Sequence, residues 1–577
     1  MFINANIKKS QLIELMLGII VGALCGVAVY LFLWLLEFVT AMSFDYGKVT
    51  LDFLNQYYVI LLPAIGGLLA GPLIHFLAKE ARGHGVPEVM ADVILKGGVI
   101  PPRVVLIKSL ASIATIGFGG SAGRVGPIIH IGAGIGSFVG QLTKIHPDLM
   151  RSLVACGAAG GVAATFNAPI GGVMFALEVI LADFASGRLM MIIVSAVTAS
   201  IVSSALFNDA LAITVPQFSL HSPLELILYG MLGIAVGLFA VVFIKLFYRV
   251  DELFSACNFM PSYLKPAVGG LLVGLIGVYL PEIFGVGYDV IEVVLAGKMT
   301  LGLLVSLLLF KALATAITLG SGGSGGVFAP ILYLGAMLGG VCGLIFGSFF
   351  SGIVIEPMAY ALAGMAGMLA ASSFAPITGI ILLFEMSNDY RMIVPLMITS
   401  VISYVIASSL TRYNIYTTKL AKKGLDINYL RRPDLLKNIC VKDVMTIDVL
   451  SLPDYYTVTE ALLKINNSTH HAFPVVAIDG KVNGVITGRE LHRAEQSGQQ
   501  NNMVKELLNN QLIYILEYDC LNHAAILMFK HAVGRLPVLD ESKNLVGIIS
   551  RSDIVQAYGL VSEQKFQNQD QQDVKLV

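Results

Sequence analysis

The chain reads as a polytopic all-α membrane protein with an inverted-topology internal repeat and broken helices, followed by a small α/β tandem module. Three observations predict this. Of 577 residues, 56% are hydrophobic and only 13% are charged, a composition outside the ordinary soluble range. The stretch Lys108–Pro127, KSLASIATIGFGGSAGRVGP, returns as Lys311–Pro330, KALATAITLGSGGSGGVFAP. Beyond Arg412 the composition becomes that of a soluble domain.

The repeat extends past that one stretch. Gly83-His84-Gly85 is answered by Gly285-Val286-Gly287, and Ala168-Pro169-Ile170-Gly171-Gly172 leading to Glu178 by Ala375-Pro376-Ile377-Thr378-Gly379 leading to Glu385. Three matched pairs in the same order amount to an internal duplication. The first copy is basic after its second apolar block, with Lys96, Arg103 and Lys108, whereas the second carries Glu282, Asp289 and Glu292. Opposite charge at equivalent positions is what an inverted repeat produces.

Each Gly-rich loop, such as Gly117–Pro127, lies between apolar segments and therefore at membrane depth. Irregular backbone is tolerated there only when it is buried in protein or lines a polar path. Successive glycines let amide N–H groups converge at a helix start, which makes an anion cradle. Ile128–Leu142, Leu153–Thr165, Gly171–Ala182 and Ile331–Phe346 are short, Gly- or Pro-interrupted apolar segments. Such broken helices leave positive partial charge at the midplane, favouring a small anion as substrate over a cation or a neutral solute.

The charge distribution sets the domains. Between Arg188 and Lys245 only Asp209 and Glu225 are charged. Residues 1–10 form a polar cytoplasmic N-terminus with Lys8 and Lys9 and no cleavable leader, and 11–430 a membrane domain with halves at about 11–205 and 222–420. Residues 431–558 form the soluble module, and 559–577 a polar tail. A net charge of −1 excludes the usual basic nucleic-acid footprint. Neither Gly loop ends in the Gly-Lys-Ser/Thr of a P-loop, and no metal cluster or nucleophile–base pair speaks for an enzyme. The six cysteines, Cys25, Cys156, Cys257, Cys342, Cys440 and Cys520, lack C-x-x-C spacing and suggest neither a metal site nor a disulfide framework.

The soluble module holds its own repeat. Asp454–Leu491 aligns with Glu517–Ile554 at a shift of 63 residues. Each copy reads helix, Pro-initiated strand, turn, apolar strand and a polar cap before a helix, with bounds of about 440–495 and 503–558.

These residues resemble the CLC family of chloride channels and chloride/proton antiporters, followed by a pair of CBS domains. Gly83-His84-Gly85-Val86-Pro87 is similar to the family's Gly-Ser-Gly-x-Pro, Gly123-Arg124-Val125-Gly126-Pro127 to its Gly-Arg/Lys-Glu-Gly-Pro, and Gly326-Val327-Phe328-Ala329-Pro330 to its Gly-x-Phe-x-Pro. Tyr416 matches the tyrosine that coordinates the central anion. The resemblance implies a homodimer in a lipid bilayer, one anion pathway per subunit, and chloride or another small anion as substrate. It implies His84, Gly85, Gly326, Val327, Phe328 and Tyr416 as anion-binding and selectivity residues. No cofactor is required, and the short loops and modest length point to a prokaryotic inner membrane with both termini cytoplasmic.

Two departures carry functional weight. In the family's antiporters, a glutamate in the second motif gates the outer path and carries the proton, and a second glutamate feeds protons from inside. Here Val125 and Val179 occupy those positions. Valine neither binds a proton nor competes as a carboxylate, so the expectation is a passive chloride channel. The alternative is an uncoupled or atypically coupled transporter of the chloride/proton antiporter class. His84 replaces the family's serine and can donate one hydrogen bond, or add charge when protonated, which makes pH-sensitive conduction an expectation. In CBS pairs a Ser/Thr-x-x-Asp motif holds a nucleotide ribose. Ser550 and Asp553 fit it, whereas Thr487 is followed at that spacing by Glu490, so an adenine nucleotide is an optional ligand. Ser and Asp before a helix serve equally well as an N-cap.

Overall fold

The computed structural model describes residues 2–557 apart from 51–54, 56, 146, 185–187, 208–212, 214, 217, 219–221, 258–259, 355, 423–438, 467–471, 509–511 and 532. The 559–577 tail and the boundary placed near residue 430 lie outside the described residues. The chain divides into a membrane unit, Met1–Asp426, and a tail unit, Ile427–Val577.

The first half of the membrane unit runs α1 (Phe2–Thr50), α2 (Tyr58–Pro72), α3 (Val86–Leu95), α4 (Pro102–Gly117), α5 (Val125–Leu142), α6 (Pro147–Phe166), α7 (Pro169–Phe175) and α8 (Leu189–Phe207). The second repeats that order as α9 (Glu225–Ala256), α10 (Lys265–Gly277), α11 (Tyr288–Leu295), α12 (Leu301–Gly320), α13 (Phe328–Phe349), α14 (Ala359–Ser373), α15 (Pro376–Ser387) and α16 (Ile393–Leu410), closed by the short α17 (Thr417–Lys422). Among the described residues, nine helices are long and apolar enough to cross a bilayer. The breaks follow from sequence. Proline occupies the first turn of α3, α4, α7, α10 and α15, where its missing N–H leaves nothing unsatisfied.

Side-chain size, rather than polarity, sorts the faces of these helices. Along α1, Met16, Ile20, Leu24, Leu31, Trp34 and Phe38 point outward, while Gly18, Gly22 and Gly26 meet α8. An added methyl at Gly22 would strike the carbonyl of Ser195. Lipid is as apolar as leucine, so close backbone approach between small residues supplies the association energy. The centre uses the same device twice. Gly132 and Gly136 of α5 lie against the Gly157 and Leu153 carbonyls of α6, and Gly335 and Gly339 of α13 against the Gly364 and Tyr360 carbonyls of α14. All fifteen residues of α14 are buried. One expected apolar segment, Gly171–Ala182, is a composite: α7 continues into a π-helical turn, Ala176–Leu181, and stops at Ala182 with φ +49°.

The tail unit holds two three-stranded sheets of identical topology. β1 (Leu452–Pro453) lies parallel to β2 (Ala472–Val476), which pairs antiparallel with β3 (Val482–Thr487). β4 (Ile515–Leu516), β5 (Arg535–Leu539) and β6 (Leu545–Ser550) repeat that arrangement. The two entry segments are exchanged. Val441 packs in the core of the second sheet with Leu521, Met528 and Val538, and Val504 in the core of the first with Val458, Phe473 and Leu491. The tandem alignment cannot reveal this crossing, because each segment's partners lie in the other copy.

Candidate functional site

The two Gly-rich loops meet at the centre of the membrane unit. Gly123 N–H donates to Gly326 O at 2.7 Å, and Gly326 N–H returns the bond to Gly123 O at 2.6 Å. Hydroxyls surround this contact with twofold regularity. Ser121 N–H donates to Thr318 Oγ1 at 3.1 Å, and Ser324 N–H to Thr115 Oγ1 at 3.2 Å. The Ser121 and Thr315 hydroxyls pair at 3.2 Å, as do those of Ser112 and Ser324 at 2.9 Å. Non-helical backbone deep in an apolar protein must find its hydrogen bonds inside, and these residues supply them.

The first motif joins the same point. Gly83 and Gly85 both have φ +88°, which only glycine adopts without strain, and the turn folds back on α5. A methyl at Gly126 would strike the carbonyl of His84 and lie 2.8 Å from Gly326 Cα. Three motifs far apart in sequence therefore share one contact. Both amides are engaged inside the protein: Gly85 N–H donates to Glu88 Oε2 at 3.0 Å and Gly326 N–H to Gly123 O at 2.6 Å.

Around the junction stand the side chains and amides that an anion can use. Tyr416 is fully buried, and its hydroxyl has no hydrogen-bond partner among the described residues. Its ring lies 5.9 Å from that of His84, which is 2% exposed and also faces Phe247 at 5.7 Å. Asn414 fixes the turn, its Oδ1 accepting from the amides of Tyr416 at 2.9 Å and Thr417 at 2.8 Å. Val327 and Phe328 open α13, whose first bond runs from Ile331 N–H to Val327 O at 2.9 Å, so their amides precede the intrahelical ladder. The Phe328 ring packs 5.6 Å from Phe166 and 6.0 Å from Phe175. The Tyr416 phenol and the His84 imidazole are neighbours, and the helix-start amides of Val327 and Phe328 follow directly on the Gly326 contact; groups of these kinds can solvate a small monovalent anion.

Val125 is the first residue of α5 and fully buried, and Val179 sits in the π-helical turn, 3% exposed. Glu178 beside it is committed elsewhere. Its carboxylate accepts from Ile377 N–H at 3.2 Å, Thr378 N–H at 2.7 Å and the Thr378 hydroxyl at 2.7 Å, capping α15. Glu385 does the same for α7, accepting from Ile170 N–H at 3.0 Å and Gly171 N–H at 2.6 Å.

Two features escape sequence reasoning. Lys108, counted in the sequence with the basic residues of the first copy, and Lys311, its matched letter in the second, are fully buried clamps rather than surface charges. Lys108 Nζ donates to Ala81 O at 2.9 Å and to Gly83 O, and Lys311 Nζ to Ile283 O at 2.8 Å and Gly285 O at 2.9 Å. Each holds the Gly turn of its own half. Lys419, three residues after Tyr416, bonds Glu88 Oε1 at 2.5 Å and Arg82 O at 3.1 Å, tying the tyrosine segment to α3. The two are 331 residues apart, and a lone Lys and Glu carry no signal at that range.

In the tail, Ser550 and Asp553 line a cleft of about 160 Å³ with Thr446 and Arg535, while Thr487 lines one of about 760 Å³ with Phe473, Arg489 and His492. The motif side chains are engaged with one another. The Ser550 hydroxyl donates to Asp553 Oδ2 at 2.8 Å and the Thr487 hydroxyl to Glu490 Oε2 at 2.8 Å, both reciprocal helix caps.

The family model described as voltage gated chloride channel matches residues 66–408, and that of the CBS domain matches 441–497 and 504–559. The chain belongs to the voltage gated chloride channel, or CLC, family. Among relatives, the CLC protein is 34% identical over 371 residues to the putative chloride channel protein ClcB-like of Ralstonia nicotianae, covering 64% of this chain and 86% of the relative. It is 35% identical over 430 residues to the H(+)/Cl(-) exchange transporter ClcA of Vibrio vulnificus, covering 73% and 92%. Its fold matches a slow cyanobacterial Cl-/H+ antiporter with TM-score 0.67 at 25% identity, over 73% of this chain and 99% of that one. A eukaryotic CLC transporter matches over 94% and 98% of the two chains, with TM-score 0.65 at 20% identity.

Proposed function

We propose that this CLC protein is an uncoupled chloride carrier: it moves chloride through an occluded site of the antiporter class without proton exchange. The observation that carries this reading is burial. Val125, His84, Val327, Phe328 and Tyr416 are each 2% exposed or less, an occlusion that fits the state a carrier passes through between its access states. The names of the exchanger relatives support the same class. Loss of coupling rests on Val125 and Val179, because neither side chain can hold a proton. Those valines also favour a second reading, a passive channel through the same residues.

Tyr416 is the hydroxyl donor to the anion, the amides of Val327 and Phe328 are its helix-start donors, and His84 is its neighbour on the inner side. The working form is a homodimer in a bilayer. The tail's ligand is an adenine nucleotide, with Thr487 bordering the cleft that has room for one. Titration of full-length protein with ATP in a calorimeter tests that part.

Chloride efflux from liposomes, with potassium carrier to shunt charge and with or without a proton ionophore, tests the transport reading. The expected result is efflux indifferent to the ionophore and no uphill proton movement under a chloride gradient. Unitary current steps in a planar bilayer would favour the channel instead, and uphill proton movement would overturn both.

A further inference from the structure

We propose that Cys440 and Cys520 are a reversible disulfide pair that staples the tail's entry segment to the second CBS copy. The two residues face each other across an isolated antiparallel bridge. Val441 N–H donates to Asp519 O and Leu521 N–H to Ile439 O, both at 2.9 Å. With hydrogen bonds on both sides of them and none between, Cys440 and Cys520 form a non-hydrogen-bonded pair, the closer of the two antiparallel pair types, for which Cα atoms lie typically about 4.5 Å apart. That lies inside the roughly 4.4–6.8 Å window of disulfides. Two residues away on each segment, Lys442 Nζ sits 4.7 Å over the Tyr518 ring, so side chains of the two segments do meet here. Both cysteines are free and half-buried, open to reagents in a way that Cys25 and Cys156 are not.

The fold does not demand cysteines here. The tail's pseudo-symmetry repeats the crossing at Thr457 and Met503, with Val458 N–H donating to Asn502 O at 3.1 Å and Val504 N–H to Tyr456 O at 2.8 Å. Threonine and methionine hold the same bridge there. The cysteine pair is therefore an addition to one of two equivalent crossings.

The co-reactant is a low-molecular-weight disulfide. The thiolate of one cysteine attacks a sulfur of the reagent, breaks its S–S bond and expels one thiolate, leaving a mixed disulfide. The second cysteine attacks the protein sulfur of that intermediate, expels the other reagent thiolate and closes the Cys440–Cys520 bond. The two cysteine protons end on the two released thiols, so the protein loses two electrons and the reagent gains them.

The test uses reduced full-length protein in detergent, exposed to oxidised glutathione, then quenched with N-ethylmaleimide in denaturant so that the buried thiols also react, digested without reductant and mapped by mass spectrometry. The expected result is one linked peptide pair containing Cys440 and Cys520 within a single chain, and a fall in alkylatable thiols from six to four. Dithiothreitol restores all six, and Cys440→Ser abolishes the link. Separate glutathione adducts on the two cysteines, both remaining alkylated, or a link between two chains would overturn the proposal. The decisive reading is on the native chain, so it does not depend on how the variant folds.

Discussion

At position 125 a fully buried valine opens the helix whose start faces the other half's Gly loop. A carboxylate placed there would compete with the anion when ionised and withdraw when protonated. Val125→Glu should therefore slow chloride efflux near neutral pH and recover as the pH falls and the carboxyl takes up its proton. The check is the ratio of liposome efflux at acid to neutral pH, expected several-fold higher than in the native chain. An unchanged ratio would remove residue 125 from the path. At this scale the sequence was most legible, because His84, Val125, Phe328 and Tyr416 sit in local motifs. What it hid were groups defined by contact alone: the amide of Gly85 spent on Glu88, the bond from Lys419 to Glu88, and Cys440 facing Cys520.

Among the elements, the glycine contacts of α5 with α6 and of α13 with α14 hold the centre. A side chain at Gly339 would collide with the carbonyl of Tyr360 and lie 2.7 Å from Ala361 Cα, whereas Gly352 has nothing within 4 Å. Gly339→Leu should lower stability by about 1–3 kcal/mol or more through forced separation of the helices, and Gly352→Leu should leave it unchanged. Thermal unfolding followed by gel filtration reads the difference, and equal behaviour of the two variants would refute close packing as the source of cohesion. Helix identity was legible from apolar runs and prolines, and the repeat from its glycines. The π-helical turn at Ala176–Leu181 was not, although it carries Glu178, whose partners lie in the other half.

For the molecule as a whole, the membrane unit and the tail have separate cores and different solvents. Heating should give two calorimetric transitions, with only the membrane one moving when the detergent is changed. One merged transition would mean that the units unfold together. Composition made the two units legible. The exchanged entry segments of the tail were not, because alignment sees each copy beside itself rather than inside its partner.

The reciprocal caps on α7 and α15 also set a clock. Ile170 N–H waits for a carboxylate 215 residues downstream. At about 5–20 residues per second of synthesis, that is a delay of roughly 10–40 s. During it, the first half sits in the bilayer with the start of α7 unfinished. Its final packing is reached only when the second half arrives, so insertion and folding of this chain are separate events in time.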